Sequence, residues 1–120
     1  RRVDGNNSDG GSPRIPRQVP VKVTDRHLAG LALCLGYAYL ECTSLPKDQV
    51  VEMAIECFEE AVVLVSNEVY PEQWAAAHHG AATAYKVRVR GSLVENRERA
   101  TNHLLQAITI YSSEAGAARP

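Results

Sequence analysis

Net charge, long apolar runs, paired cysteines and aromatics are all scarce in this chain, and each scarcity removes a class of protein. Thirteen Lys and Arg nearly balance fourteen Asp and Glu, for a formal charge of −1. That balance gives no global field to draw in nucleic acid or anionic lipid, so charged recognition has to come from a local patch. The longest apolar stretches, Leu28 to Leu40 and Ala61 to Val65, fall far short of the ~20 residues that cross a bilayer. Arg1-Arg2-Val3-Asp4 lacks the apolar core of an export signal, which leads to the expectation of a cytoplasmic protein with no membrane partner. Cys34, Cys42 and Cys57 are odd in number and lack CxxC spacing, which suits a reduced compartment and thiols that fill a core. Aromatics make up 6% of residues and none is interleaved with the basic group Lys86, Arg88, Arg90, Arg97 and Arg99, so stacking on nucleic-acid bases is not expected. A glycine-rich phosphate loop, a nucleophile elbow and an HExxH pair are all missing; the chain reads as non-enzymatic, with no cofactor, no metal ligand set and no catalytic residue.

What is present is a 45% hydrophobic content in 120 residues, enough for one compact domain. Residues 1–23 hold few apolar positions among Arg, Asp, Asn, Gly, Ser and Pro, and are read as a disordered Pro/Gly-rich segment. Residues 24–116 are read as a helical repeat domain. Leu28, Leu31, Leu35, Ala38 and Tyr39 recur at helical spacing behind Thr24 or Asp25 as a cap, predicting a first helix from about Asp25 to Cys42. Thr43-Ser44-Leu45-Pro46 breaks it, with the proline suited to the next first turn. The second helix carries Val51, Ala54, Ile55, Phe58, Ala61, Val62 and Val65 on one side and Glu52, Glu56, Glu59 and Glu60 on the other. Pro71 and Glu72 open a third helix to about Val89, Gly91-Ser92 ends it, and a fourth runs from about Leu93 to Ser113. The expected fold class is all-α.

An internal repeat organises these four helices. A shift of 46 positions, without gaps, lays Ala29 on Ala75, Ala38-Tyr39 on Ala84-Tyr85, Ala54 on Ala100, Ala61 on Ala107 and Phe58 on Leu104. Two tandem helix pairs, about 24–69 and 70–116, account for this better than a unique bundle. Small residues such as Gly36, Ala38, Ala54 and Ala61 allow close helix backbones, giving hairpins that stack into a short right-handed α-solenoid with a concave side lined by first helices.

Leu35-Gly36-Tyr37-Ala38-Tyr39, followed by Ala54, Phe58 and Ala61, resembles the tetratricopeptide pattern, and the second copy keeps Ala82, Tyr85, Ala100, Leu104 and Ala107. The spacing departs from the standard repeat of about 34 residues. Val69-Tyr70-Pro71-Glu72-Gln73-Trp74-Ala75, with Ala84-Tyr85, Arg88, Arg90-Gly91, Glu95-Asn96 and Ala100, is similar to a longer tetratricopeptide variant of bacterial multi-repeat proteins. In those proteins such repeats often precede a caspase-like CHAT peptidase domain. The resemblance implies an α-solenoid that binds another protein; it carries no catalytic residue onto this chain.

Several constellations bear on chemistry. His78-His79 are adjacent on a helix, about 100° apart, and cannot both hold one metal without His27 or His103; a His/Cys metal site is the weakest of the functional readings. Cys57 and His103 are equivalent by the repeat and invite comparison with a catalytic dyad, with no oxyanion donor or third group to support it. The acidic second helix and the basic end of the third are read as a solvated face with pairing between repeats, or as a partner patch. Tyr70 and Trp74 around Pro71 are read as a hydrophobic staple at the junction.

These readings converge on a protein–protein interaction scaffold that takes a peptide or helix of a partner in the concave groove. Projection of the repeat places His27, Gly30, Tyr37 and Glu41 from the first copy and Gln73, Ala76, Thr83 and Val87 from the second at that groove, with His78, Lys86 and Arg90 as polar residues of sufficient reach. The alternative is homo-oligomerisation through the end helices, because two repeats leave apolar surface at both ends. Helix four, with Leu104, Leu105, Ile108 and Tyr111, is the expected self-contact.

Overall fold

A computed structural model describes residues 24–118, with side chains described as far as Ser113; the segment 1–23, read above as disordered, lies outside the described residues. Those residues form four α-helices and no strand: α1 (Asp25–Glu41), α2 (Lys47–Leu64), α3 (Pro71–Val87) and α4 (Leu93–Ala118). None of them is long and apolar enough to cross a membrane. Thr24 caps α1 from extended backbone: its Oγ1 accepts from the His27 N–H at 3.3 Å, and the His27 ring returns a bond to the Thr24 N–H. A histidine thus takes the place of the usual Glu or Gln of a capping box. Pro71 opens α3 at a position where a missing N–H costs nothing, and Ser92 accepts from the Glu95 N–H to open α4.

The helix ends differ from the sequence expectation in three places. Cys42 is the extended residue after α1 rather than its last turn. Arg88 leaves helical geometry at φ −66°, ψ 132°, so α3 ends at Val87 and Arg88 to Arg90 lie outside the helix, with a bend at Arg90. Arg88 is turned toward α2 and α4, where its guanidinium finds partners that a further helical turn would not reach. Helix α4 continues past Ser113 to Ala118.

The 46-residue offset recurs in the helix boundaries. Helices α1 and α3 are both 17 residues long, α3 starts 46 residues after α1, and α4 starts 46 residues after α2. Equivalent small residues are buried in both copies: Ala29 and Ala75, Ala54 and Ala100, Ala61 and Ala107. Helix α1 packs on α2 and α3 on α4, α2 lies against α3, and α1 touches α3 more lightly. The pairs run antiparallel, as the contacts of Tyr85 with Glu59, Arg88 with Glu52 and Arg90 with Asp48 show for α2 and α3.

Phe58 is the centre of the packing. It is fully buried, and its ring lies against the backbone of Gly36 on α1 and Gly80 on α3. A Cβ built on Gly36 would stand 2.7 Å from the ring, and one on Gly80 would overlap it still more. The two glycines therefore form a slot for one aromatic ring of α2, and Tyr37 meets that ring edge-on at 4.9 Å between centroids. Around it Val51, Ala54, Ile55, Ala81, Ala82, Ala84 and Tyr85 form one core cluster. A second cluster joins Ala29, Ala61, Val65 and Ala77 to the partly buried Tyr70 and Trp74 at the junction between the hairpins.

The apolar stripe expected on α1 is corrected by this packing. Ala29 and Gly36 are the buried positions, whereas Leu28, Leu31, Leu35 and Ala38 are exposed. The equivalents on α3, Trp74, Ala77, Ala81 and Ala84, are covered or partly covered because α3 has the first hairpin in front of it. Among the described residues nothing stands in front of α1. Cys34, on the same exposed side, is not a core-filling thiol, and Cys42 and Cys57 are half-buried.

Candidate functional site

Where the C-terminal ends of α1 and α3 meet the start of α2, the chain leaves an apolar cleft of about 570 Å³. Leu40 from α1, Val50 and Val51 from α2, and Thr83 and Val87 from α3 form its walls, and Cys42, Thr43, Leu45 and Lys47 its mouth. The loop Cys42 to Pro46 borders the mouth: Cys42 Sγ and Ser44 Oγ are 3.4 Å apart, and hydrogen bonding to Ser44 holds the thiol below its usual range. Thr83, in the cleft wall, spends its hydroxyl on the His79 carbonyl of its own helix. The cleft can enclose one or two large apolar side chains, and Lys47 sets a cation at its edge.

The residues projected onto a groove are engaged in different ways. Thr83 lines the cleft, and Lys86 and Glu41 are exposed on helix turns beside Val87 and Leu40, which line it. Tyr37 is engaged with Phe58, and burial together with nearby Tyr111 raises its phenol pKa. His27 is committed to the α1 cap, Gln73 donates to the Arg26 carbonyl at 3.2 Å, and Arg90 pairs with Asp48 at 3.0 Å. His78, expected to reach into the groove, is instead buried between α3 and α4. Its phase on α3 carries it toward His103, while neighbouring His79 is exposed on another side.

A polar network occupies the junction of α2, α3 and α4. Nδ1 of His78 lies 2.7 Å from Nδ1 of His103, and Nε2 of His103 faces Glu59 Oε1 at 3.8 Å. That geometry fits a proton on Nε2 of His103 and a His78 Nδ1–H donating to it, which leaves the buried Nε2 of His78 as an acceptor with no partner. Burial, reinforced by the facing His103, pushes His78 down to about 4; burial likewise lowers His103, against the opposing pull of Glu59. Tyr85 stacks on His103, donates to Glu59 at 3.1 Å and accepts from Arg99 at 3.3 Å. Arg88 grips both carboxylate oxygens of Glu52 at 2.7 and 2.9 Å and donates to Asn96 Oδ1 at 3.2 Å.

This network ties α2, α3 and α4 together. Two facing Nδ1 atoms at hydrogen-bond distance share one proton and leave no room for an ion between them, and His103 is turned to His78 and Glu59 rather than to Cys57. Burial raises the Cys57 thiol, the opposite of what a nucleophile needs. Among the described residues no grouping of three or more His, Cys, Asp or Glu could hold a metal ion.

No family model, curated protein or solved structure matches the chain. Asn96 is the residue that sequence reasoning missed: buried, it accepts from Arg88 and donates to the Arg90 carbonyl at 2.9 Å. Its repeat equivalent is the apolar Val50, and an Asn in an apolar register is the signal that could have found it.

Proposed function

We propose that the chain is a non-catalytic protein-binding module, a short α-solenoid of two tetratricopeptide-like helix pairs, and that the apolar cleft takes a side-chain anchor from a partner peptide or helix. The observation that carries this reading is the apolar cleft shared by α1, α2 and α3, with Leu40, Val50 and Val87 in its walls. Both first helices contribute to it, as a concave solenoid surface requires. The favoured ligand is a segment with a large aliphatic or aromatic residue for the cleft and an acidic neighbour for Lys47.

The test is selection of binders from a displayed random-peptide library on the full chain, followed by affinity measurement on Val87→Glu. Val87 is exposed enough to accept the change without unfolding. Selected peptides should share a large apolar residue and lose about tenfold or more in affinity on the variant, because a carboxylate would stand unpaired in the apolar wall. Peptides that bind the variant as well as the parent chain, or a selection that enriches nothing, would sink the reading.

A further inference from the structure

The two ends of the molecule carry faces that the molecule itself shows how to join. Inside the chain, the C-terminal half of α2 covers the N-terminal half of α3: Ala61, Val62 and Val65 cluster with Ala77 and Trp74. The 46-residue offset makes Ile108 the equivalent of Val62, and Leu31 the equivalent of Ala77. Ala77 is 0% exposed beneath α2, whereas Leu31 is 66% exposed and Ile108 is 53% exposed. Among the described residues, the first face of α1 and the last face of α4 are thus the two halves of a junction that is closed once, between α2 and α3, and left uncovered on α1 and on α4.

We propose that a second copy of this chain covers α1 with the C-terminal half of its α4, head to tail, as α2 covers α3 inside each molecule. The distribution of polarity on α4 fits this placement. Its N-terminal half replaces buried Val51 and Ile55 of α2 with exposed Arg97 and Thr101 beside a single exposed Val94, so the apolar positions of this face, Leu104 and Ile108, gather in the half that the internal junction directs at the start of the next hairpin. Leu31 is bulkier than Ala77, so the axes of α4 and α1 stand farther apart than those of α2 and α3. The contact is heterologous: each copy offers one face and uses the other, so association grows by addition and does not close at a dimer.

Sedimentation velocity on the full chain, from micromolar to millimolar, tests the idea with two variants at exposed positions, Leu31→Glu and Ile108→Glu. The weight-average mass of the parent chain should rise past that of a dimer as concentration rises. Each variant alone should be monomeric, its self-association weakened about tenfold or more by a carboxylate that would have to be buried unpaired. Mixed together they should form a one-to-one heterodimer and nothing larger, since one retains an intact α4 face and the other an intact α1 face. Circular dichroism checks that both variants are folded. A parent chain that stays monomeric throughout overturns the proposal. So does a dimer abolished by Ile108→Glu and untouched by Leu31→Glu, which means symmetric pairing through α4. A monomer whose melting temperature falls on Leu31→Glu means that the chain's own residues cover α1, and overturns it equally. Val87→Glu should leave the mass unchanged, which keeps this result separate from the fate of the cleft.

Discussion

Phe58 depends on two missing side chains. Its ring fills a slot whose walls are the backbones of Gly36 and Gly80, each held in a helix and unable to retreat without moving that helix. Glycine within a helix is worse than alanine by about 1 kcal/mol in propensity, so Gly80→Ala has something to gain. It also drives a methyl group into the ring, and overpacking of this kind costs about 1–3 kcal/mol. The overlap wins because the neighbouring atoms belong to a buried ring with no free rotamer. Gly80→Ala should therefore lower stability by about 1–2 kcal/mol in urea denaturation. In a Phe58→Leu background, where the ring is gone, the same change should become neutral or stabilising. Effects that simply add would show that Gly80 and the ring do not meet as described. Gly36 was legible in the sequence as a point of close approach; Gly80 was not, since its repeat equivalent is Cys34 and no pattern marks it.

Between elements, Arg88 does what no single helix contact does. One face of its guanidinium holds the Glu52 carboxylate on α2 in a two-bonded fork, and another donates to Asn96 on α4, while the residue itself ends α3. The fork holds the Glu52 carboxyl below its ordinary range, chiefly through hydrogen bonding to Arg88. Arg88→Ala leaves the carboxylate and the buried Asn96 Oδ1 unpaired, and should cost about 1–3 kcal/mol. Arg88→Lys should lose most of that as well, because an ammonium reaches one partner and cannot reproduce the fork. Amide exchange in the Arg88–Ser92 connection and the first turn of α4 should accelerate in both variants; protection equal to that of the parent chain would show that the fork is ornamental. The sequence showed an acidic stripe on α2 opposite a basic end of α3, which is the Glu52–Arg88 pair in outline. Asn96 stood out of register in the sequence but could not be connected to it, because the third partner becomes visible only once α4 is placed.

For the whole molecule, the all-α class, the four helices and the 46-residue offset were legible because they rest on periodicity and punctuation, which are local properties. The phase of α1 was not: the largest aliphatics, Leu28, Leu31 and Leu35, drew the stripe, whereas close helix packing buries the small Ala29 and Gly36. His78 was misplaced for a related reason, since a histidine reads as polar while its position on α3 points into the α3–α4 seam. That seam gives the fold a sensitivity to acid whose sign follows from burial. His78 falls from an ordinary 6.5 to about 4 on folding, through desolvation and then the facing His103, with Glu59 and Arg99 acting on His103 from α2 and α4. A histidine lowered in the folded state contributes stability that is complete above the unfolded pKa of 6.5 and is lost as pH falls toward 4, because the unfolded chain binds the proton first. The loss from this group should be about 2 kcal/mol by pH 5 and about 3 kcal/mol by pH 4. Acid that protonates Glu52, whose carboxyl Arg88 holds below its ordinary range, also removes that fork. Urea midpoints taken from pH 7 down to pH 4 should fall steadily for the parent chain and stay much flatter for His78→Gln, which keeps a donor toward His103 but has nothing to titrate. Parallel pH profiles for the two proteins would place the acid sensitivity elsewhere and remove the His78–His103 pair from the account of stability.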